Sequence, residues 1–123
     1  MTKKLVTLSC ARLLAACGSA APDMDELARE YLFLELSMGL HDASHVDAYF
    51  GPEEIRTAAA ESALSLDQIL AASADLSDRL RGIVAGDDEM LDMRIKGLIA
   101  RLHALDTRAT INKGILLKFD DES

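Results

Sequence analysis

The sequence predicts an all-α fold, and three observations carry that expectation. Leu91, Ile95, Leu98, Leu102, Leu105 and Ala109 recur at intervals of 4, 3, 4, 3 and 4, the seam of a helix packed along another at a shallow angle. Helix punctuation recurs along the chain: Pro22-Asp23, Gly51-Pro52-Glu53-Glu54 and Ser65-Leu66-Asp67-Gln68 each place a cap or a proline ahead of first-turn acids or glutamine. Half of the residues are hydrophobic, yet there is no Trp and only 2 Tyr and 3 Phe. The core must therefore be built from Leu, Ile, Ala and Met, and 123 residues suffice for one small domain.

Residues 1–16 have the layout of an exported amino terminus: Lys3-Lys4, an apolar stretch from Leu5, and Leu14-Ala15-Ala16 ahead of Cys17-Gly18. This arrangement resembles the processing site of bacterial lipoprotein signal peptides, in which the cysteine becomes the acylated first residue. It implies lipidation at Cys17, a tether over 17–23 and a periplasm-facing place in the cell envelope. Gly18 and Ser19 lack the aspartate that retains such proteins in the inner membrane, so the resemblance points to the outer membrane. Arg12 interrupts the apolar stretch, and a central arginine costs roughly 2.5–3.5 kcal/mol on insertion unless it snorkels to the interface. The alternative is an amphipathic helix over residues 3–16, with Cys10 and Cys17 as small buried side chains. Leu5 to Ala16 is 12 residues, too short for the roughly 20 that cross a bilayer core.

Residues 24–123 read as a helical module. The first helix is expected from Met24 to about Met38, opened by Asp23, Asp25 and Glu26 and closed by Gly39. Met24, Leu27, Ala28, Tyr31, Leu34 and Met38 follow helical spacing, while Leu32, Phe33 and Leu36 widen the apolar surface beyond one stripe. A short second helix starts at Gly51-Pro52 and ends near Ser62. A third opens on the Ser65/Gln68 capping box and places Leu66, Ile69, Leu70, Leu76, Leu80 and Val84 on one face, with Gly86 closing it. Asp87-Asp88 restarts the chain into the fourth helix, which pairs with the third as an antiparallel hairpin. Leu116, Leu117 and Phe119 before Asp120-Asp121-Glu122 have the pattern of another helix start. The module is accordingly expected to be the front part of a larger domain, leaving Leu32, Phe33, Leu36 and Phe119 exposed.

Charge narrows the partners. The whole chain carries a formal charge of −8, and loss of Lys3, Lys4 and Arg12 with the signal would leave 10 basic against 21 acidic residues, or −11. With no basic stripe to meet a phosphate backbone, nucleic acid is excluded as a partner. Contact with a membrane would come through the acyl chains at Cys17. Cys10 leaves with the signal and Cys17 is acylated, so the mature chain would hold no disulfide.

The tract from His41 to Pro52 holds the remaining chemistry. His41 and His45 stand four apart beside carboxylates and would share one side of a helix, as metal ligands often do. A loop that uses Asp42 or Ser44 to cap a turn, carrying Val46, Tyr49 and Phe50 inward, accounts for the same residues. No glutamate lies between the two histidines, no third ligand stands at a recognised distance, and no Gly-x-Ser-x-Gly elbow is present. No catalytic residue, metal ligand or cofactor site is therefore assigned, and His103 is read as a flank of the fourth-helix seam.

Glu30-Tyr31-Leu32, Gly39-Leu40-His41-Asp42 and Val46-Asp47-Ala48-Tyr49-Phe50-Gly51-Pro52-Glu53 together resemble the opening of a bacterial family related to metal-dependent peptidases. The likeness extends over about residues 25–121; its most specific part is Val46 to Pro52, and the family-resembling turn comprises Asp42, Val46, Asp47, Tyr49, Gly51 and Pro52. In that family a later segment of the HEGYPGHH type looks like a gluzincin zinc site. The resemblance implies a lipid-anchored zinc peptidase-like parent in which zinc is held elsewhere in a longer polypeptide, with this stretch as its non-catalytic helical front. Because the HEGYPGHH-like segment does not occur in these 123 residues, no zinc ligand or base is carried over to any of them. The alternatives are a free-standing, lipid-anchored helical adaptor that binds an envelope protein and, if the first 16 residues stay attached, a small cytosolic helical protein.

Overall fold

A computed structural model of the chain describes the backbone of residues 23–122 and the side chains of residues 23–115. The signal segment 1–16, Cys17 and the tether through Pro22 lie outside the described residues, as do the side chains of Leu116, Leu117 and Phe119. Four helices follow in order, α1 (Met24–Gly39), α2 (Glu53–Ser62), α3 (Leu66–Arg81) and α4 (Glu89–Glu122), with no strand among the described residues. The fold is all-α.

Local chemistry explains each boundary. Asp23 caps α1 by accepting from the backbone N–H groups of Asp25 and Glu26, satisfying two of the donors a helix start leaves free. Pro52 sits at the N-cap of α2, and Ala63 ends that helix in the left-handed region at φ 44°. The capping box of α3 is complete, with Ser65 Oγ accepting from Gln68 N at 3.1 Å and Gln68 Oε1 from Ser65 N at 2.9 Å. Asp88 Oδ1 accepts from Leu91 N at 3.0 Å at the head of α4.

Helices α1, α3 and α4 form a three-helix bundle, and their ion pairs give its directions. Glu30 of α1 meets Arg79 near the end of α3 at 2.8 Å, whereas His41 just past α1 reaches the Leu64 carbonyl ahead of α3, so these two helices run antiparallel. Asp25 pairs with Arg94 at 2.9 Å and Asp42 with Arg108 at 2.5 Å, so α1 and α4 run parallel. Asp67 near the head of α3 meets Lys113 of α4 at 2.5 Å, which makes α3–α4 an antiparallel hairpin. Leu34 and Met38 of α1, Ile69, Leu76 and Leu80 of α3, and Leu98, Leu102, Leu105 and Ala109 of α4 close the core between them. Helix α2 packs on α1 instead, burying Ile55 and Ala59.

Four expectations need correction. Helix α3 stops at Arg81, where Gly82 N bonds the Asp78 carbonyl at 3.1 Å, rather than running past Val84 to Gly86. Ile83 and Ala85 turn toward the core, which leaves Val84 between them facing outward, and Gly86 takes φ +57° to make the turn into α4. Asp120-Asp121-Glu122 continue α4 instead of opening another helix. No proline interrupts residues 89–122, and extending a formed helix costs less than nucleating a new one. Leu32, Phe33 and Leu36 are half-buried, Phe33 against the core, so α1 does not present them as a bare face. Finally, Phe50 points outward at 97% exposure, because Tyr49 takes the inward place beside it.

Candidate functional site

The loop 40–52 crosses from the end of α1 to the start of α2, and it is fastened at two points by side chains that one helix alone could not bring together. The first is Glu35 of α1. Tyr31, one turn earlier, donates its hydroxyl to Glu35 Oε1 at 2.5 Å. His45, from the loop, hydrogen-bonds Glu35 Oε2 through Nε2. Each carboxylate oxygen therefore has its own partner. Burial, reinforced by the hydrogen bond to Glu35, raises the Tyr31 phenol well above the ordinary tyrosine range. It stays a neutral donor to the carboxylate.

The second fastening is Asp42. Its Oδ1 accepts from Ser44 N at 3.0 Å and from Ser44 Oγ at 2.6 Å, an Asx-type turn closed on itself. Its Oδ2 accepts from Arg108 Nε at 2.5 Å and Asn112 Nδ2 at 3.3 Å, both on α4. Arg108 also donates through Nη2 to Ser44 Oγ at 2.7 Å. The Arg108 guanidinium, and after it the Ser44 hydroxyl, hold the Asp42 carboxyl well below the usual carboxylate range.

The remaining positions of the tract have their own geometry. Val46 packs where it approaches Gly39 closely. The Tyr49 ring lies over Gly51, where an added Cβ would sit 2.5 Å from the phenol oxygen, and its hydroxyl donates to the Pro52 carbonyl at 2.7 Å. Arg56 of α2 stacks above the same ring, 5.1 Å from its centroid. The Tyr-x-Gly-Pro order thus has a physical cause: the ring needs a residue without a side chain beneath it and a carbonyl at its far end. Asp47 is exposed.

Between the loop and α1 lies an open groove of about 430 Å³, lined by Tyr31, Leu32, Glu35, Leu36, His45 and the Val46–Tyr49 stretch. Tyr31, Glu35 and His45 spend their hydrogen bonds on one another, so the arrangement latches the loop to the helix. The two histidines considered as a metal pair are divided between partners, His41 Nε2 donating to the Leu64 carbonyl at 2.6 Å and His45 engaging Glu35. A carbonyl only accepts, which fixes the proton of His41 on Nε2. Among the described residues no group of three His, Cys, Asp or Glu side chains is placed to hold a metal ion. His103 is exposed on α4.

Sequence reasoning missed Tyr31, Glu35, Arg108 and Asn112. The first two had a signal, since a tyrosine and a glutamate at i and i+4 on a largely apolar helix face are placed to bond each other. Arg108 had none, because its partner lies 66 residues away. No protein-family model, curated protein or solved structure matches the chain.

Proposed function

We propose that this chain is the non-catalytic helical front of a lipid-anchored, zinc peptidase-like hydrolase of the cell envelope, attached through Cys17 and facing the periplasm, with the outer membrane as its site. The observation that carries this reading is the built character of the Val46–Pro52 tract. Within the stretch most specific to the resemblance Tyr49 lies over Gly51 and Pro52 stands at the head of α2, and Asp42 ahead of it is tied to α4. The groups that would serve chemistry are spent on holding that corner, which suits a part that shapes and supports a site located elsewhere in the polypeptide. Zinc hydrolysis needs about three protein ligands, an open water position and a placed base. In this reading the rest of the parent supplies them.

A second reading rests on a different observation. The bundle closes a core with contributions from α1, α3 and α4, as a self-sufficient adaptor would. The continuing reading frame separates the two: an in-frame HEGYPGHH-like segment downstream supports the peptidase parent, and its absence supports the adaptor. Anchoring is tested by Cys17→Ser, which should abolish radiolabelled fatty-acid incorporation and detergent partitioning. Labelling that persists in that variant removes the lipoprotein reading.

A further inference from the structure

Seven large apolar side chains are exposed among the described residues, and three of them, Val84, Met90 and Met93, sit at one end of the bundle with 89%, 70% and 68% of their surface open. That end is where α1 begins. Asp25 beside Arg94 and Glu30 beside Arg79 place the head of α1 against the start of α4 and the end of α3. Residues 18–22 are all that separates Cys17 from the Asp23 cap, a span of at most about 20 Å when fully extended. An acyl chain on Cys17 would hold this end of the bundle, and not the other, close to the bilayer. Resting on the anchoring just proposed, we infer that Val84, Met90 and Met93 form a lipid-contacting tip seated in the headgroup region of the membrane that carries Cys17.

Local structure explains why these side chains face outward. Ile83 and Ala85 on either side of Val84 pack against the core, which forces the residue between them out. Met90 and Met93 lie three apart, on one side of the first turns of α4, and the flexible thioether side chain adapts to an irregular apolar surface. A single exposed valine would be ordinary on a soluble protein; three apolar side chains on the tethered end are placed where lipid would be met. Charge sets the kind of contact. Asp87, Asp88, Glu89 and Asp92 share this end with Asp23, Asp25 and Glu26 at the head of α1, although Asp23 and Asp88 cap their helices, Asp25 pairs with Arg94 and Asp92 pairs with Lys96 at 2.7 Å. The tip therefore suits a zwitterionic surface and a shallow seat, within the roughly 5–10 Å typical of interfacial contacts. Of the other exposed apolar residues, Leu40, Ile111 and Ile115 belong to the opposite end, where Asp42 meets Arg108, and Phe50 lies on the loop that runs beside the middle of α1.

Because the chain has no tryptophan, one introduced indole reports alone. The full chain, produced in a bacterium that acylates lipoproteins, is reconstituted into phosphatidylethanolamine–phosphatidylcholine vesicles as Val84→Trp, Met93→Trp and Phe50→Trp. In the first two the emission should move to shorter wavelength and be quenched by lipids spin-labelled near the headgroup, while Phe50→Trp keeps the emission of a water-exposed indole. Mass spectrometry of the amino-terminal peptide shows whether Cys17 is acylated. An acylated, vesicle-bound chain whose Val84→Trp and Met93→Trp indoles stay in water, or whose Phe50→Trp indole is quenched equally, overturns the tip and leaves the anchor standing. An unacylated Cys17 overturns both.

Discussion

Ala63 holds a backbone conformation that costs an L-residue about 1–2 kcal/mol, because in the left-handed region its Cβ crowds the following carbonyl. The position ends α2, and its N–H bonds the Ala59 carbonyl at 3.1 Å. Ala63→Gly keeps that bond and relieves the crowding, against a cost in unfolded-chain entropy of about 0.5–1 kcal/mol. The net expectation is a gain of up to about 1 kcal/mol, read as a rise in the thermal midpoint of the purified chain. Asp42 gives a second prediction at this scale. Its carboxyl titrates lower in the folded chain than in the unfolded one, with Arg108 as the first cause. As pH falls below about 4 the unfolded chain takes up the proton first. The stabilisation from this carboxylate is therefore fully present above that range and is lost as pH falls further. Arg108→Leu should flatten the acid limb of a stability–pH curve measured by urea denaturation, and an unchanged slope would mean that the Asp42–Arg108 tie contributes nothing to it.

The hairpin of α3 and α4 shows how far sequence carries at the scale of elements. Capping chemistry and spacing are local, so the Ser65/Gln68 box, the α1 start at Asp23 and the seam from Ile95 through Leu98, Leu102 and Leu105 to Ala109 are legible in the order of the residues alone. What sequence hides is set by distant contacts. The inward turn of Ile83 and Ala85 against the core ends α3 a turn early. The ties of the candidate site are hidden in the same way, Glu35 needing His45 10 residues away and Asp42 needing Arg108 66 residues away. Two substitutions test the seam and its neighbour. Leu102 is fully buried, and Leu102→Ala should cost about 2–5 kcal/mol, the lost transfer energy plus the cavity left behind. Ser73 of α3 is also fully buried, and its hydroxyl has no hydrogen-bond partner among the described residues. Removing an unsatisfied buried polar group is favourable, so Ser73→Ala should raise stability by roughly 0.5–1 kcal/mol. Denaturant midpoints of the two variants should shift in opposite directions.

At the scale of the whole molecule the chain has two unequal layers. The bundle shares one core among α1, α3 and α4. Helix α2 adds Ile55 and Ala59 against α1 alone, with its first residues and most of its length exposed. The loop that leads into it depends on polar ties to Glu35 and Asp42 rather than on apolar burial, and such ties contribute little net stability because folding exchanges them for hydrogen bonds with water. A segment held this way opens locally at lower free energy than a helix whose inward face is locked in a shared core. Residues 40–62 should therefore open as a unit without unfolding the bundle. Native-state amide exchange followed by mass spectrometry reads this directly: peptides covering α2 should exchange well before those covering the middle of α3 and residues 98–109 of α4. Glu35→Gln keeps the shape of the side chain but weakens its charge-assisted bonds to Tyr31 and His45. It should speed exchange in residues 40–62 and leave the seam of α4 unchanged. Equal protection of α2 and α4 in the native chain would mean that the loop and α2 belong to the same cooperative unit as the bundle.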